Sequence, residues 1–162
     1  MALSRTQTTQ EQRMAGPTVT ASIGNTDFQV RLEDGTHSWI VDEPARGGGG
    51  TGLEPASLLL ASLGACTSIT LKMYAKRKEW PLEEIHVELS MKSTAEGTNI
   101  DRRIALKGVL SDEQRERLLQ IANACPMHKV LSGVIHIASG SRRSKASQAP
   151  PTKETVVLNS NI

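Results

Sequence analysis

The chain contains two cysteines, Cys66 and Cys125, and each stands where a thiol calls for a chemical explanation. Cys66 lies in LLLASLGACTSIT, residues 58–70, inside the longest uncharged run of the sequence. That run reads as the middle of a helix, where no helix N-terminus stabilises a thiolate and an apolar setting keeps the thiol protonated. Reactivity at Cys66 therefore needs a cation from elsewhere, and inert packing is the plain alternative, since free cysteine is among the most buried residue types. Cys125 immediately precedes Pro126 in CPMHKVL, at or near the N-cap of a short helix, where backbone N–H groups favour a thiolate. Serine or asparagine would cap that helix equally well, so cysteine there asks for a reason.

Two other chemistries use the same residues. Cys125 and His128 have C-x-x-H spacing, and Cys66 could supply a third metal ligand. The set falls short of the four ligands of a closed zinc site, because His37, His86 and His136 fall on predicted strands. A Cys125/His128 hydrolase lacks a recognisable oxyanion hole or third member, and His128 reads as a solvated helix position. No metal is expected.

The compartment bears on these thiols. The opening MALSRTQTTQEQR has no apolar stretch of the kind a secretory signal needs, so a cytoplasmic location is expected, with both cysteines reduced by default. Nineteen basic residues against 17 acidic ones, spread along the chain, give a net charge of +2 rather than a concentrated basic face. Four aromatic residues, Phe28, Trp39, Tyr74 and Trp80, offer little for bases to stack on, so nucleic acid is not an expected partner. The basic cluster SRRSK, residues 141–145, reads as part of a solvated tail.

The elements that must position the cysteines follow from periodicity. With 162 residues, 38% of them hydrophobic, the chain suits one soluble domain. Residues 1–16 are polar and aperiodic and are expected to be disordered; 17–140 form the domain; 141–162 form a polar tail. Alternation at Val19, Ala21 and Ile23, at Phe28, Val30 and Leu32, and at Trp39 and Val41, with Asp34-Gly35 as a turn, predicts three antiparallel strands. ARGGGGTGLEP, residues 45–55, reads as a mobile loop and lacks a nucleotide fingerprint. A long helix runs from Pro55 to about Lys78, with Lys72, Lys76, Arg77 and Lys78 toward its C-terminal end.

Residues Pro55 to Leu71 carry no charge on any helix face, so that segment must be buried all round. Serines and threonines dilute it too much for a membrane span, and one domain of this size can hardly surround it, which predicts a second subunit. A hairpin over Ile85–Met91 and Ile104–Leu110 follows, then a helix opened by a Ser111/Gln114 capping box and reaching about Ala124. The short CPMHKVL helix and a last strand, Val134 to Ala138, complete an α+β order βββ-α-ββ-α-α-β.

The run GLEPASLLLASLGACTSITL, the later CPMHKVL, their separation and this element order resemble the OsmC/Ohr family of thiol-dependent peroxidases over about residues 17–140. The resemblance implies an OsmC-like fold, an intertwined homodimer with paired central helices, and reduction of organic hydroperoxides without metal or other cofactor. It makes Cys66 the peroxidatic cysteine, Cys125 the resolving one, and Arg46 an arginine that reaches the thiolate of the partner subunit. Peroxidase members place a glutamate just after the proline of the central helix; here Ala56 and Ser57 follow Pro55. Glu54 is the candidate acid for holding Arg46, with Asp42 and Glu43 as alternatives. The implied partners are a hydroperoxide and an external dithiol reductant, such as a lipoyl-type one. A structural or ligand-carrying dimer, or a Cys/His metal binder, are the alternatives.

Overall fold

The computed structural model describes residues 16–141. The expectations for the N-terminal segment and for nearly all of the C-terminal tail concern residues outside that range. Three short strands, β1 (Thr20–Ile23), β2 (Val30–Glu33) and β3 (Ser38–Val41), form an antiparallel sheet in the order β1-β2-β3. Val30 pairs with both Ile23 and Val41, and Leu32 pairs with Trp39. The β2–β3 turn is closed by the Asp34 carboxylate, which accepts from the Thr36 and His37 amides at 2.8 and 2.7 Å. Phe28 falls outside the strand expected to contain it: its φ of 63° places it in the turn before β2.

Helix α1 (Pro55–Arg77) has 23 residues, about 35 Å of axis. Pro55 is tolerated in the first turn because its missing N–H would have no intrahelical partner there. Its end is a Schellman motif: the Trp80 amide bonds the Ala75 carbonyl at 2.9 Å, and the Glu79 amide bonds that of Lys76 at 3.2 Å. Glu79 has the left-handed φ of 56° that this motif requires, a conformation in which its Cβ is crowded. Glu79→Gly is therefore expected to stabilise the fold by roughly 0.5–1 kcal/mol, seen as a raised thermal midpoint.

One chain covers only one stripe of α1. Leu63, Thr67, Leu71 and Ala75, spaced four apart, are buried, whereas Leu59, Ile69 and Met73 are exposed. Burial on every face, expected from the lack of charge, is not reached within the chain, because β4 (Leu82–Thr94) and the two shorter helices, the elements packed against α1, cover only that stripe fully. By length and composition alone α1 could cross a membrane. Its covered stripe joins the core: Leu71 and Ala75 lie with Leu82, Leu118 and Ala122 in the buried cluster, with Tyr74, Trp80, Ile85, Ile104 and Leu106 around it.

The long hairpin β4 (Leu82–Thr94) and β5 (Gly97–Gly108) lies against this stripe. Ile85 faces Leu106, Val87 faces Ile104, and Leu89 faces Arg102. Helix α2 (Asp112–Ala122) starts with the expected capping box: the Gln114 amide donates to Ser111 Oγ at 3.3 Å, and Gln114 Oε1 accepts from the Ser111 amide at 3.0 Å. It ends at Ala122, and α3 (Pro126–Leu131) follows after a short junction. The α+β class and the order through α3 are as expected. The terminal strand Val134–Ala138 is not formed: a strand exists by its ladder bonds, and none of the described residues pairs with this segment, leaving Val134 and Ile137 exposed.

Candidate active site

Helix α1 presents Cys66 from its midpoint, and the α2–α3 junction presents Cys125 opposite it. Both are free thiols; Cys66 is half-buried and Cys125 is fully buried. Each thiol is among the groups that shift the proton affinity of the other. Cys125 is the N-cap of α3, and its carbonyl accepts the first helical bond from Lys129 at 3.1 Å. The Met127 and His128 amides act on its sulfur as oriented dipoles without closing a capping hydrogen bond.

This arrangement separates the two thiols electrically. Burial pushes the Cys66 thiol up, and its contact with Cys125 adds to that. Burial also acts to raise Cys125. There, the Cys66 thiol, the His128 amide, the Thr67 hydroxyl and the Met127 amide together outweigh it and hold Cys125 below its ordinary value. The two environments thus bias the thiols in opposite directions, Cys125 toward the thiolate and Cys66 toward the thiol.

Arg46 ends a 3-10 turn, Pro44–Arg46, and is exposed. Among the described residues it makes no ion pair, and neither does Glu54, which is the N-cap of α1 without a side-chain capping bond. Asp42 has a different task from holding an arginine. Its buried carboxylate accepts from the Glu43 amide at 2.8 Å, the Thr51 amide at 2.9 Å and the Thr51 hydroxyl at 3.0 Å. The Thr51 amide chiefly holds the Asp42 carboxyl below its ordinary value. A carboxylate shifted this way stabilises the loop above that value and releases it only as pH falls below it.

The glycine run is thus wrapped around Asp42 rather than a mobile tether. A Cβ on Gly48 would overlap Asp42 Oδ1. Gly48→Ala is expected to open the loop, with faster amide hydrogen exchange at Glu43 and Thr51 and a lowered thermal midpoint as the readouts.

Lys72, the intrahelical cation that could fold back toward Cys66, is engaged elsewhere: its Nζ donates to the carbonyls of Leu82 and Glu83 at the start of β4. Cys66, Cys125 and His128 do not form a three-ligand group, nor does any other set of His, Cys, Asp or Glu among the described residues. A cleft of about 420 Å³ runs between α1 and the α2–α3 junction, lined by Thr70, Met73, Tyr74, Arg77, Ile121, Ala124 and Pro126, the last two flanking Cys125 in sequence.

A family model described as OsmC-like protein matches residues 47–139, more than half of the chain. The chain belongs to the OsmC-like family. Several solved structures share its fold. An OsmC-like protein from Mycoplasma pneumoniae is 18% identical, with a TM-score of 0.66 over 75% of this chain and 90% of that one. The organic hydroperoxide resistance protein OhrB of Bacillus subtilis is 25% identical, with a TM-score of 0.54 over 74% and 93%. An OsmC-like protein of unknown function from Vibrio cholerae is 13% identical, with a TM-score of 0.59 over 74% and 95%. Among curated proteins no match was found.

The OsmC-like core also contains a side chain that motif reasoning passed over. Arg102 on β5 points inward, between Ile100 and Ile104, where the alternation calls for an apolar residue. Its Nη1 donates to Thr67 Oγ1 at 3.0 Å and to the Ala122 carbonyl at 3.2 Å, and its Nη2 to Asn123 Oδ1 at 2.8 Å. A charge on the core face of a strand was the available signal.

Proposed function

We propose that this chain is a cysteine-based peroxidase that reduces organic hydroperoxides. The observation that carries the reading is the juxtaposition of two free, oppositely biased thiols beside an apolar cleft, in a chain of the OsmC-like family. The name of the Bacillus subtilis neighbour, a hydroperoxide resistance protein, supports the same substrate class. A cleft of this size and lining suits the apolar group of an organic hydroperoxide better than hydrogen peroxide, which has no apolar part to bury.

The Cys66 thiolate attacks the distal peroxide oxygen. An S–O bond forms, the O–O bond breaks, and the departing alkoxide takes up a proton to leave as an alcohol. The Cys125 thiolate then attacks the sulfur of the Cys66 sulfenic acid. The S–S bond forms and hydroxide leaves, protonated, as water. An external dithiol returns both cysteines to thiols and becomes a disulfide itself.

Because burial raises Cys66, the first step needs a cation, and Arg46 of the partner subunit is the group proposed to supply it in a homodimer built on the exposed face of α1. Glu54, one residue before α1, is the candidate to orient that arginine. The test is peroxide consumption by the purified protein with a dithiol in excess. Turnover of cumene hydroperoxide that saturates with protein is expected, and a rate no greater than the dithiol alone would contradict the reading.

A further inference from the structure

The inward guanidinium of Arg102 serves no acid: among the described residues it enters no ion pair, and its three acceptors are all neutral. A half-buried charge matched only by neutral groups favours an anion nearby. Two of its acceptors lead to Cys125. The Ala122 carbonyl that takes Nη1 also takes the Cys125 amide at 3.3 Å, which fixes the backbone of the α3 N-cap. Thr67 leads to the sulfur. Arginine has no acceptor atom, so once Thr67 Oγ1 receives Nη1, the hydroxyl proton must go to a different neighbour. Thr67 itself is fully buried, so no bulk water competes for that proton, and a hydroxyl turned toward the buried Cys125 would favour its thiolate.

We propose that Arg102 is a positioning residue for Cys125: its guanidinium polarises the Thr67 hydroxyl toward the Cys125 sulfur and anchors the α3 N-cap, which keeps Cys125 ready to close the disulfide. The chain guanidinium–hydroxyl–thiolate is a polarised series in which each hydrogen bond strengthens the next. The chemistry it serves rests on the peroxidase reading, because only there does Cys125 attack a sulfenic acid. A stabilised thiolate also makes the disulfide easier to reduce, which suits return by an external dithiol.

The groups facing Cys125 are Cys66 and Thr67 from α1, Arg102 from β5 acting through Thr67, and the Met127 and His128 amides of α3. The His128 side chain lines a cavity with Arg102 and Asn123. The test uses full-length reduced protein with Cys66→Ser, so that Cys125 is the one remaining thiol, and follows thiolate ultraviolet absorbance against pH without any peroxide. Arg102→Gln is expected to raise the titration midpoint by about one pH unit, with the circular dichroism unchanged.

Thr67→Val should raise it similarly, Thr67→Ser should restore it, and Arg102→Gln with Thr67→Val together should move it no further than either alone. Should Arg102→Gln not fold, Arg102→Lys with and without Thr67→Val gives the same comparison. An unchanged midpoint in Arg102→Gln, or in Thr67→Val, would overturn the proposal, and so would additive shifts, which would mean the guanidinium acts independently of Thr67. Since no turnover enters the measurement, loss of the peroxidase reading and loss of this inference remain distinguishable.

Discussion

Cys66→Ser is expected to lower the rate of hydroperoxide reduction by on the order of 10³-fold or more, because a serine hydroxyl at the middle of α1 is neither ionised nor able to form a sulfenic acid. Cys125→Ser should behave differently. Its first turnover proceeds, since the attack on peroxide needs only Cys66, and a Cys66 sulfenic acid accumulates that a dione-type trapping reagent captures. Recycling by dithiols then slows to the rate at which an external thiol reaches Cys66, which is half-buried. A rapid-quench measurement of the first turnover beside steady-state rates separates the two variants. Equal steady-state rates for Cys125→Ser and the wild type would remove Cys125 from the cycle.

The second large effect concerns the cation. Burial raises the Cys66 thiol, so at neutral pH the reactive form is scarce unless positive charge is brought to it. Arg46→Ala is expected to slow the reaction of Cys66 with peroxide by roughly 10²–10³-fold, the usual loss on removing one charge-stabilising donor. It should also move the rise of rate with pH to higher pH, because the raised Cys66 then needs more base to ionise. The fold and the oligomeric state should not change, since Arg46 is exposed and tied to the chain only through its backbone and the Asp42-centred loop.

Lys72→Ala is the matching control. Lys72 is fastened to the Leu82 and Glu83 carbonyls, so its removal should cost roughly 0.5–1.5 kcal/mol of stability and leave the Cys66 rate alone. The reverse pattern, with Lys72 setting the rate and Arg46 not, would overturn the arginine assignment. Stopped-flow thiol oxidation across pH, with thermal melts alongside, reads both.

The helices were legible because their signals are local. Pro55, the basic last turn and the Ser111/Gln114 box each act within one turn of the chain, and each lies where the pattern put it. The same holds for Cys125, whose N-cap position follows from Pro126 alone. Two features escaped because they depend on residues distant in sequence. The glycine run looked mobile, yet Asp42 organises it through Thr51, nine residues away. Arg102 stands beside Asp101 and Arg103, and in a run of three charges its inward face is masked; only the pairing of β4 with β5 reveals it.

Alternation at Val134–Ala138 expresses a preference for extended backbone, but a strand needs a neighbour, and the described chain supplies none. The apolar faces of α1 make the same point: composition says how much surface wants cover, and only packing says how much of it one chain can hide.

The joint action of Cys66 and Cys125 as a peroxide-driven dithiol underlies each of these expectations. It is tested most directly by adding one equivalent of cumene hydroperoxide to the reduced protein and mapping its cysteines by mass spectrometry, with Cys125→Ser in parallel. Loss of both free thiols and a Cys66–Cys125 disulfide within one chain are expected, with a single oxygen on Cys66 in the variant. Both thiols surviving the peroxide, or oxidation at Cys125 with Cys66 untouched, would contradict it.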